Sequence, residues 1–120
     1  MPYRAIPGFL RGLQEAFNLG ARLSWEELFE PAINFAENGF ELDGFNANVA
    51  DVFKPNLRGK EWFEEVWVNP ATNDTYKKGD VMKMKKVAKT YRKIVEEGID
   101  SFYNGSLSKI IIKEINDHGW

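Results

Sequence analysis

Residues 84–115 constrain the fold most, because they describe a helix, a stop and a second helix. Before the stop, apolar residues recur at the three-and-four spacing that lines one face of a helix: Met84, Val87, Ala88, Tyr91, Ile94 and Val95. Gly98 follows, and glycine suits the left-handed position just past a helix end. If Gly98 is left-handed, valine at this position should destabilise the hairpin by about 1–2 kcal/mol.

The second half of the stretch begins at a turn-forming Asn104-Gly105 pair. Ser106 is predicted to cap the helix that follows. The apolar residues of that helix are Leu107, Ile110, Ile111 and Ile115. The whole stretch therefore predicts a helical hairpin whose two helices share one apolar face.

Two further helices are predicted towards the beginning of the chain. Pro7-Gly8 favours a helix start, and the apolar spacing that follows continues to about Gly20. Ser24 and Glu27 have the spacing of a capping box at the start of a second helix, which runs to Gly39. Pro31 lies inside this helix, where it removes one hydrogen bond, so we expect a kink or a break there.

Between residues 41 and 80 the pattern is weaker. A short helix is predicted from Phe45, Val49, Val52 and Phe53, with a stop at Pro55. Residues 62–67 fit either a helical turn or a short strand, and residues 69–75 and 78–80 are rich in turn formers. The fold class expected for the chain is mainly α, built from helical hairpins with little or no strand.

Composition limits the functional classes. The 120 residues suit one domain, and a hydrophobic content of 43% supplies ample core material. The net charge of −2 gives no overall field for nucleic acid, and the absence of cysteine excludes disulfides and thiol chemistry. No apolar run is long enough to span a bilayer, and Met1-Pro2-Tyr3-Arg4 does not have the pattern of a signal peptide.

Few residues have the pattern of a chemical site. The single histidine, His118, is interpreted as a favourable cation near a helix end, because no neighbouring nucleophile would make it a general base. A basic stripe is interpreted as a solvated helix face; it comprises Lys77, Lys78, Lys83, Lys85, Lys86, Lys89, Arg92 and Lys93. Asn73 and Asn104 each begin an N-glycosylation sequon. Asn73 is the favoured acceptor, since Asn104 also has a turn-forming role.

Four segments carry a resemblance to a known family. Residues 96–107 resemble the "EEGADAFYxG" segment in the large subunit of γ-glutamyltranspeptidases, also called glutathione hydrolases. Residues 6–13 are similar to the family's "VPGxxxGL/Y" pattern, and residues 23–40 to its "LPWxxLFxPAIxxAxxGF" pattern. Residues 76–82 and 87–91 resemble the family's "G..LKEGDxLxxPxLAxTL" run. This chain departs from the family's usual residues at Phe9, Ala21 and Ser24. The resemblance covers nearly the whole chain, as a single partial domain over residues 1–120 with a variable connecting region at about 43–75.

The resemblance implies an αββα N-terminal-nucleophile hydrolase as the parent fold. In that family a threonine freed by self-cleavage attacks the γ-glutamyl amide of glutathione, and the acyl group passes to water or to an amino acid or peptide acceptor. The threonine lies in a "T-T-H" motif, whereas Thr72, Thr75 and Thr90 of this chain are not followed by histidine. Accordingly no catalytic, substrate-binding or metal-binding residue is assigned to the chain, and no cofactor is expected.

The resemblance also implies partners and a location. The expected partners are the remainder of the large subunit, the small subunit and, for the parent enzyme, glutathione; nucleic acid is not expected. The parent is expected to be membrane-anchored or secreted. A fragment of such an enzyme should be inactive alone and should leave large apolar surfaces exposed. The alternative, a free-standing helical interaction module, should have a closed core, and a basic-helix nucleic-acid binder ranks third.

Overall fold

Helices dominate residues 7–117, the part of the chain that a computed structural model describes. The elements in chain order are α1 (Phe9–Asn18), α2 (Trp25–Asn38), β1 (Phe40–Glu41), α3 (Gly44–Leu57), α4 (Glu61–Trp67), β2 (Val68–Asn69), β3 (Asp74–Thr75), β4 (Val81–Met82), α5 (Lys85–Glu97), α6 (Asp100–Tyr103) and α7 (Ser106–Asp117). The expectation of a mainly α fold with little strand is confirmed.

The four strands form two separate antiparallel pairs. β1 pairs with β4 in the register Phe40 to Met82, and β2 pairs with β3 in the register Val68 to Thr75. Each strand has two residues, so the pairs close loops between helices and do not form a sheet layer. The β2–β3 hairpin contains the turn formers expected at residues 69–75, and Asn73 there has a positive φ of 52°.

The chain divides into two compact units. The described part of the first comprises residues 7–33 and 89–117, and the second is Asn34–Ala88. In the first unit, Ile94, Ile99 and Leu107 form the buried core. These residues come from α5, from the residue before α6 and from α7, so the shared apolar face expected for the hairpin is confirmed at this end of it.

The second unit has its own core. Leu42, Ala47 and Met82 are buried together, and partly buried side chains pack around them: Phe40, Val66, Trp67, Tyr76 and Met84. The small side chain of Ala47 lets the α3 backbone come close to the β1–β4 pair. That residues 1–120 form a single partial domain, with a variable region at about 43–75, remains a prediction.

Two helix boundaries were predicted correctly from local chemistry. At α2, the Ser24 backbone N–H donates to the Glu27 carboxylate at 2.8 Å, and the Glu27 N–H donates to the Ser24 hydroxyl at 3.2 Å. This is the reciprocal capping box. At the end of α5, Gly98 has φ +82°, the left-handed conformation that the sequence indicated.

The break considered at Pro31 and the stop expected at Pro55 are both wrong, and a kink at Pro31 stays a prediction. α2 runs without a break from Trp25 to Asn38 with Pro31 inside it, and α3 continues past Pro55 to Leu57. A proline removes a single backbone donor, and the rest of the helix keeps its hydrogen bonds. In α3 the backbone N–H of Arg58 still donates to the Lys54 carbonyl at 3.0 Å, which closes the final turn.

The interpretation of three other segments is also settled by the structure. Residues 62–67 are helical, within α4. The apolar residues expected to face inward from α3 are exposed, with Phe45 at 76% and Phe53 at 52%, while Ala47 and Ala50 are buried. Ser106 is the first residue of α7, and its hydroxyl donates to the Glu97 carboxylate, so the cap predicted from Ser106 is wrong.

Candidate functional site

The first unit contains an apolar groove that is open to solvent. It has a volume of about 690 Å³ and is lined by side chains of α1, α2, α5 and α6. Phe17 stacks on Trp25 with ring centroids 4.6 Å apart, and Phe29 contacts Trp25 at 5.5 Å and Tyr91 at 5.7 Å. Trp25, Phe29 and Tyr91 also pack against the buried core of Ile94, Ile99 and Leu107.

The rim of the groove is apolar and open to solvent. Phe9 is 76% exposed and Leu28 is 45% exposed, and Leu13 beside them is also exposed. Helical spacing indicated an apolar face on each of α1 and α2 and predicted that Leu28 of α2 faces inward; the inward orientation of Leu28 is wrong, because its side chain is exposed. A groove of this chemistry can bind an apolar surface, since none of the residues that line it is charged.

A polar network joins α3 to the β2–β3 hairpin in the second unit. The Thr75 hydroxyl donates to the Asp51 carboxylate, and the Lys77 ammonium donates to both Asp51 oxygens at 2.7 and 2.9 Å. The Lys54 ammonium pairs with the Asp74 carboxylate, which also lies 3.6 Å from the Lys77 ammonium.

The network keeps its members charged. The hydrogen bond from Lys77, followed by that from Thr75, lowers the pKa of Asp51, and the hydrogen bond to Asp51 raises the pKa of Lys77. The hydrogen bond from Lys54, followed by that from the Thr75 backbone, lowers the pKa of Asp74. Each shift follows from stabilisation of the charged form by a partner.

A threonine hydroxyl beside a carboxylate resembles an activated nucleophile. The Thr75 residue is only 1% exposed, however, so a substrate cannot reach its hydroxyl. The network consequently acts as a brace that fixes the hairpin to α3. Its residues come from α3 and from a hairpin 20 or more positions later in the chain, and no local pattern could have indicated their contact.

The predicted glycosylation sites lie in different units. Asn73 is exposed in the β2–β3 turn of the second unit, where its carboxamide oxygen accepts from the Arg58 guanidinium at 3.4 Å. Asn104 is exposed at the end of α6 in the first unit. His118 lies outside the described residues.

Members of the basic stripe form ion pairs with carboxylates. Lys86 pairs with Glu65 at 2.7 Å, and Lys93 pairs with Glu97 at 3.3 Å. Lys77 belongs to the brace described above. Neutralised and solvated lysines of this kind fit a surface helix better than a phosphate-binding face.

Residues 7–117 contain no group of three or more His, Cys, Asp or Glu side chains that could hold a metal ion. Across the same residues, no helix has the length and apolar character needed to cross a membrane.

Nearly the full length of the chain matches a single family model and a set of known proteins. A family model described as gamma-glutamyltranspeptidase matches residues 3–119. Scoloptoxin SSD14 from Scolopendra dehaani is 32% identical over 115 residues, which cover 96% of this chain and 20% of the toxin. The glutathione hydrolase proenzyme of Bacillus subtilis strain 168 is 31% identical over 114 residues, which cover 95% of this chain and 19% of the proenzyme.

A solved structure gives the same match in three dimensions. The gamma-glutamyltranspeptidase from Pseudomonas nitroreducens, complexed with L-DON, superposes with a TM-score of 0.79 at 32% identity. The match covers 94% of this chain and 32% of that one. The chain thus spans about a fifth of the length of the curated relatives, and its helices have the arrangement found in part of an N-terminal-nucleophile hydrolase. The chain belongs to the gamma-glutamyltranspeptidase family.

Proposed function

We propose that the chain is part of a glutathione hydrolase that cleaves the γ-glutamyl amide of glutathione and transfers the glutamyl group to water or to an amino acid or peptide acceptor. The observation that carries the proposal is the family match over residues 3–119 in a chain that spans about a fifth of its relatives. In this proposal the chain supplies helical structure to the enzyme, and the nucleophile belongs to another part of the same polypeptide.

The threonines of the chain support this division of roles. Thr75 is buried in the brace, and Thr72, Thr75 and Thr90 all lack the following histidine of the family's nucleophile motif. The hydroxyl of Thr75 is committed to Asp51. A 120-residue chain with these threonines is expected to have no hydrolase activity by itself.

The partner of the apolar groove would be the rest of the parent enzyme, namely the remainder of its large subunit and its small subunit. Burial of apolar surface stabilises such contacts by about 25 cal/mol per Å². The exposed rim residues Phe9, Leu13 and Leu28 are large apolar side chains that would lose contact with water in the assembled protein. Exposure of this kind favours the fragment over a free-standing helical module, which would be expected to close its core.

The parent enzyme is further proposed to be secreted or membrane-anchored, with Asn73 and Asn104 available to carry glycans. Expression of the complete reading frame in a eukaryotic secretory host tests this proposal. Asn73→Gln and Asn104→Gln should each remove one glycosidase-sensitive increment of mass. Absence of any such increment from the secreted wild-type protein would refute use of the sequons.

The activity test uses the polypeptide encoded by the complete transcript. Glutamate release from glutathione should be measured for the wild type, for a variant with alanine at the first threonine of the Thr-Thr-His motif, and for the 120-residue chain. Release by the wild type alone is expected. A folded complete polypeptide that releases no glutamate would contradict the proposal.

A further inference from the structure

Helix α1 is attached to the first unit in an unusual way. None of its ten residues is buried, although it forms one wall of the apolar groove through Phe9, Leu10, Leu13 and Phe17. Its N-cap residue, Gly8, makes no side-chain cap hydrogen bond, and its first turn has no acidic residue. The helix therefore lacks the local features that ordinarily satisfy the first-turn N–H groups.

A residue more than 90 positions away in the sequence supplies the missing cap. The Tyr103 hydroxyl accepts from the Arg11 backbone N–H at 3.2 Å and donates to the Pro7 carbonyl at 2.8 Å. A tyrosine hydroxyl has one donor and can also accept, so both of its roles are used here. Arg11 is the third residue of α1, and the backbone N–H of the third residue is one that an N-cap side chain usually accepts from.

The Arg11 side chain reinforces the same contact. Its guanidinium carbon lies 4.7 Å from the centroid of the Tyr103 ring, and one of its nitrogens pairs with the Asp100 carboxylate at 2.6 Å. Both partners belong to α6, and Leu10 in the same first turn of α1 also packs against the core of Ile94, Ile99 and Leu107.

The other end of α1 has the features of a hinge. Phe17 stacks on Trp25 of α2, and Gly20 between the two helices has φ +140°. We propose that α1 is a hinged wall of the groove, fastened at its N-terminal end by the Tyr103 latch, which we define as the Tyr103 hydroxyl with its bonds to the Pro7 carbonyl and the Arg11 N–H. When the latch opens, the Arg11 N–H and the Pro7 carbonyl lose their shared partner while the core formed by Ile94, Ile99 and Leu107 stays folded.

Residue-resolved hydrogen exchange of the polypeptide encoded by the complete transcript tests the latch. In the wild type, the Arg11 amide should exchange more slowly than the amide of Leu10, which is also a first-turn donor. Equal exchange at the two amides would show that the latch is not formed. The test does not depend on whether the parent acts on glutathione, because every atom of the latch is in this chain.

Variants separate the effect of the Tyr103 hydroxyl from that of the Tyr103 ring. Tyr103→Phe keeps the ring and removes the cap, so exchange at Arg11 should accelerate about tenfold, with α7 amides unchanged. Tyr91→Phe is the matched control, since its ring packs in the same unit and none of the hydrogen bonds described above involves its hydroxyl. Asp100→Asn weakens only the ion pair and should change exchange at Arg11 less than Tyr103→Phe does.

Three results would overturn the proposal. They are unchanged exchange at Arg11 in Tyr103→Phe, an equal acceleration in Tyr91→Phe, and a uniform acceleration that includes α7. The last result would mean that Tyr103 supports the whole unit and does not act locally on α1.

Discussion

Gly98 offers a direct measure of backbone strain in this fold. The residue ends α5 with φ +82°, and an added Cβ would meet no atom within 4 Å. Substitution therefore introduces no steric clash beyond the residue itself, and its cost is the left-handed conformation that an L-residue must adopt. That cost is roughly 1–2 kcal/mol, or about a five- to thirty-fold change in the ratio of folded to unfolded protein.

Gly12 provides the matched control for Gly98. It lies inside α1, and a Cβ there also meets no atom within 4 Å. Gly12→Ala adds the same methyl group to a helical backbone and should stabilise the protein by about 0.5–1 kcal/mol. Urea unfolding followed by far-ultraviolet circular dichroism should move the midpoint down for Gly98→Val and Gly98→Ala, and up for Gly12→Ala. Unchanged midpoints for both Gly98 variants would refute the strain argument.

Three further predictions concern stability in the same unfolding assay. Gly105→Ala should cost about 1–3 kcal/mol, because its Cβ would lie 2.6 Å from a backbone carbon; wild-type stability would contradict this. Ser24→Ala should cost about 1 kcal/mol, whereas Ser24→Thr should not. The hydrogen bonds from the Ser24 backbone and hydroxyl lower the pKa of Glu27 below its ordinary value of 4.5. Their contribution to the free energy of unfolding is therefore fully present above pH 4.5 and is lost as the pH falls through the lowered pKa. The difference in unfolding free energy between the wild type and Ser24→Ala should therefore become smaller in acid. A difference that grows in acid would refute the link between this cap and the charge of Glu27. Thr75→Val should cost about 1 kcal/mol by removing the bond to Asp51, and no loss would show that the brace is dispensable.

Local chemistry was sufficient to predict the helix ends at Ser24 and Gly98. Each depends on contacts within about four residues, namely a capping box and a glycine conformation. The cap expected from Ser106 failed for the opposite reason. Its hydroxyl is used by Glu97, nine positions earlier and on another helix, and spacing alone does not reveal such a contact.

The orientation of α3 shows how packing overrides hydrophobicity. Phe45, Val52 and Phe53 are the larger apolar residues, yet Ala47 and Ala50 face the core. Successive residues turn by about 100°, so burying the alanines places Phe45 and Val52 on the opposite face and Phe53 at the edge between the two faces. A small side chain was needed where the helix approaches Leu42 and Met82, and the sequence of α3 alone does not contain that information.

The candidate groove was predictable only in part. Helical spacing indicated apolar faces for α1 and α2, and the family resemblance led us to expect exposed apolar surfaces. The latch at Tyr103 could not be anticipated, because it joins residues 92 and 96 positions apart through a hydroxyl and a backbone amide.

Sequencing the transcript before the Met1 codon and beyond the Trp120 codon is the most direct test of the proposed parent enzyme. We expect an open reading frame that continues to a Thr-Thr-His motif and glycine-rich loops. A start codon at Met1 together with a stop codon directly after Trp120 would contradict the proposal and would favour an independent helical interaction protein.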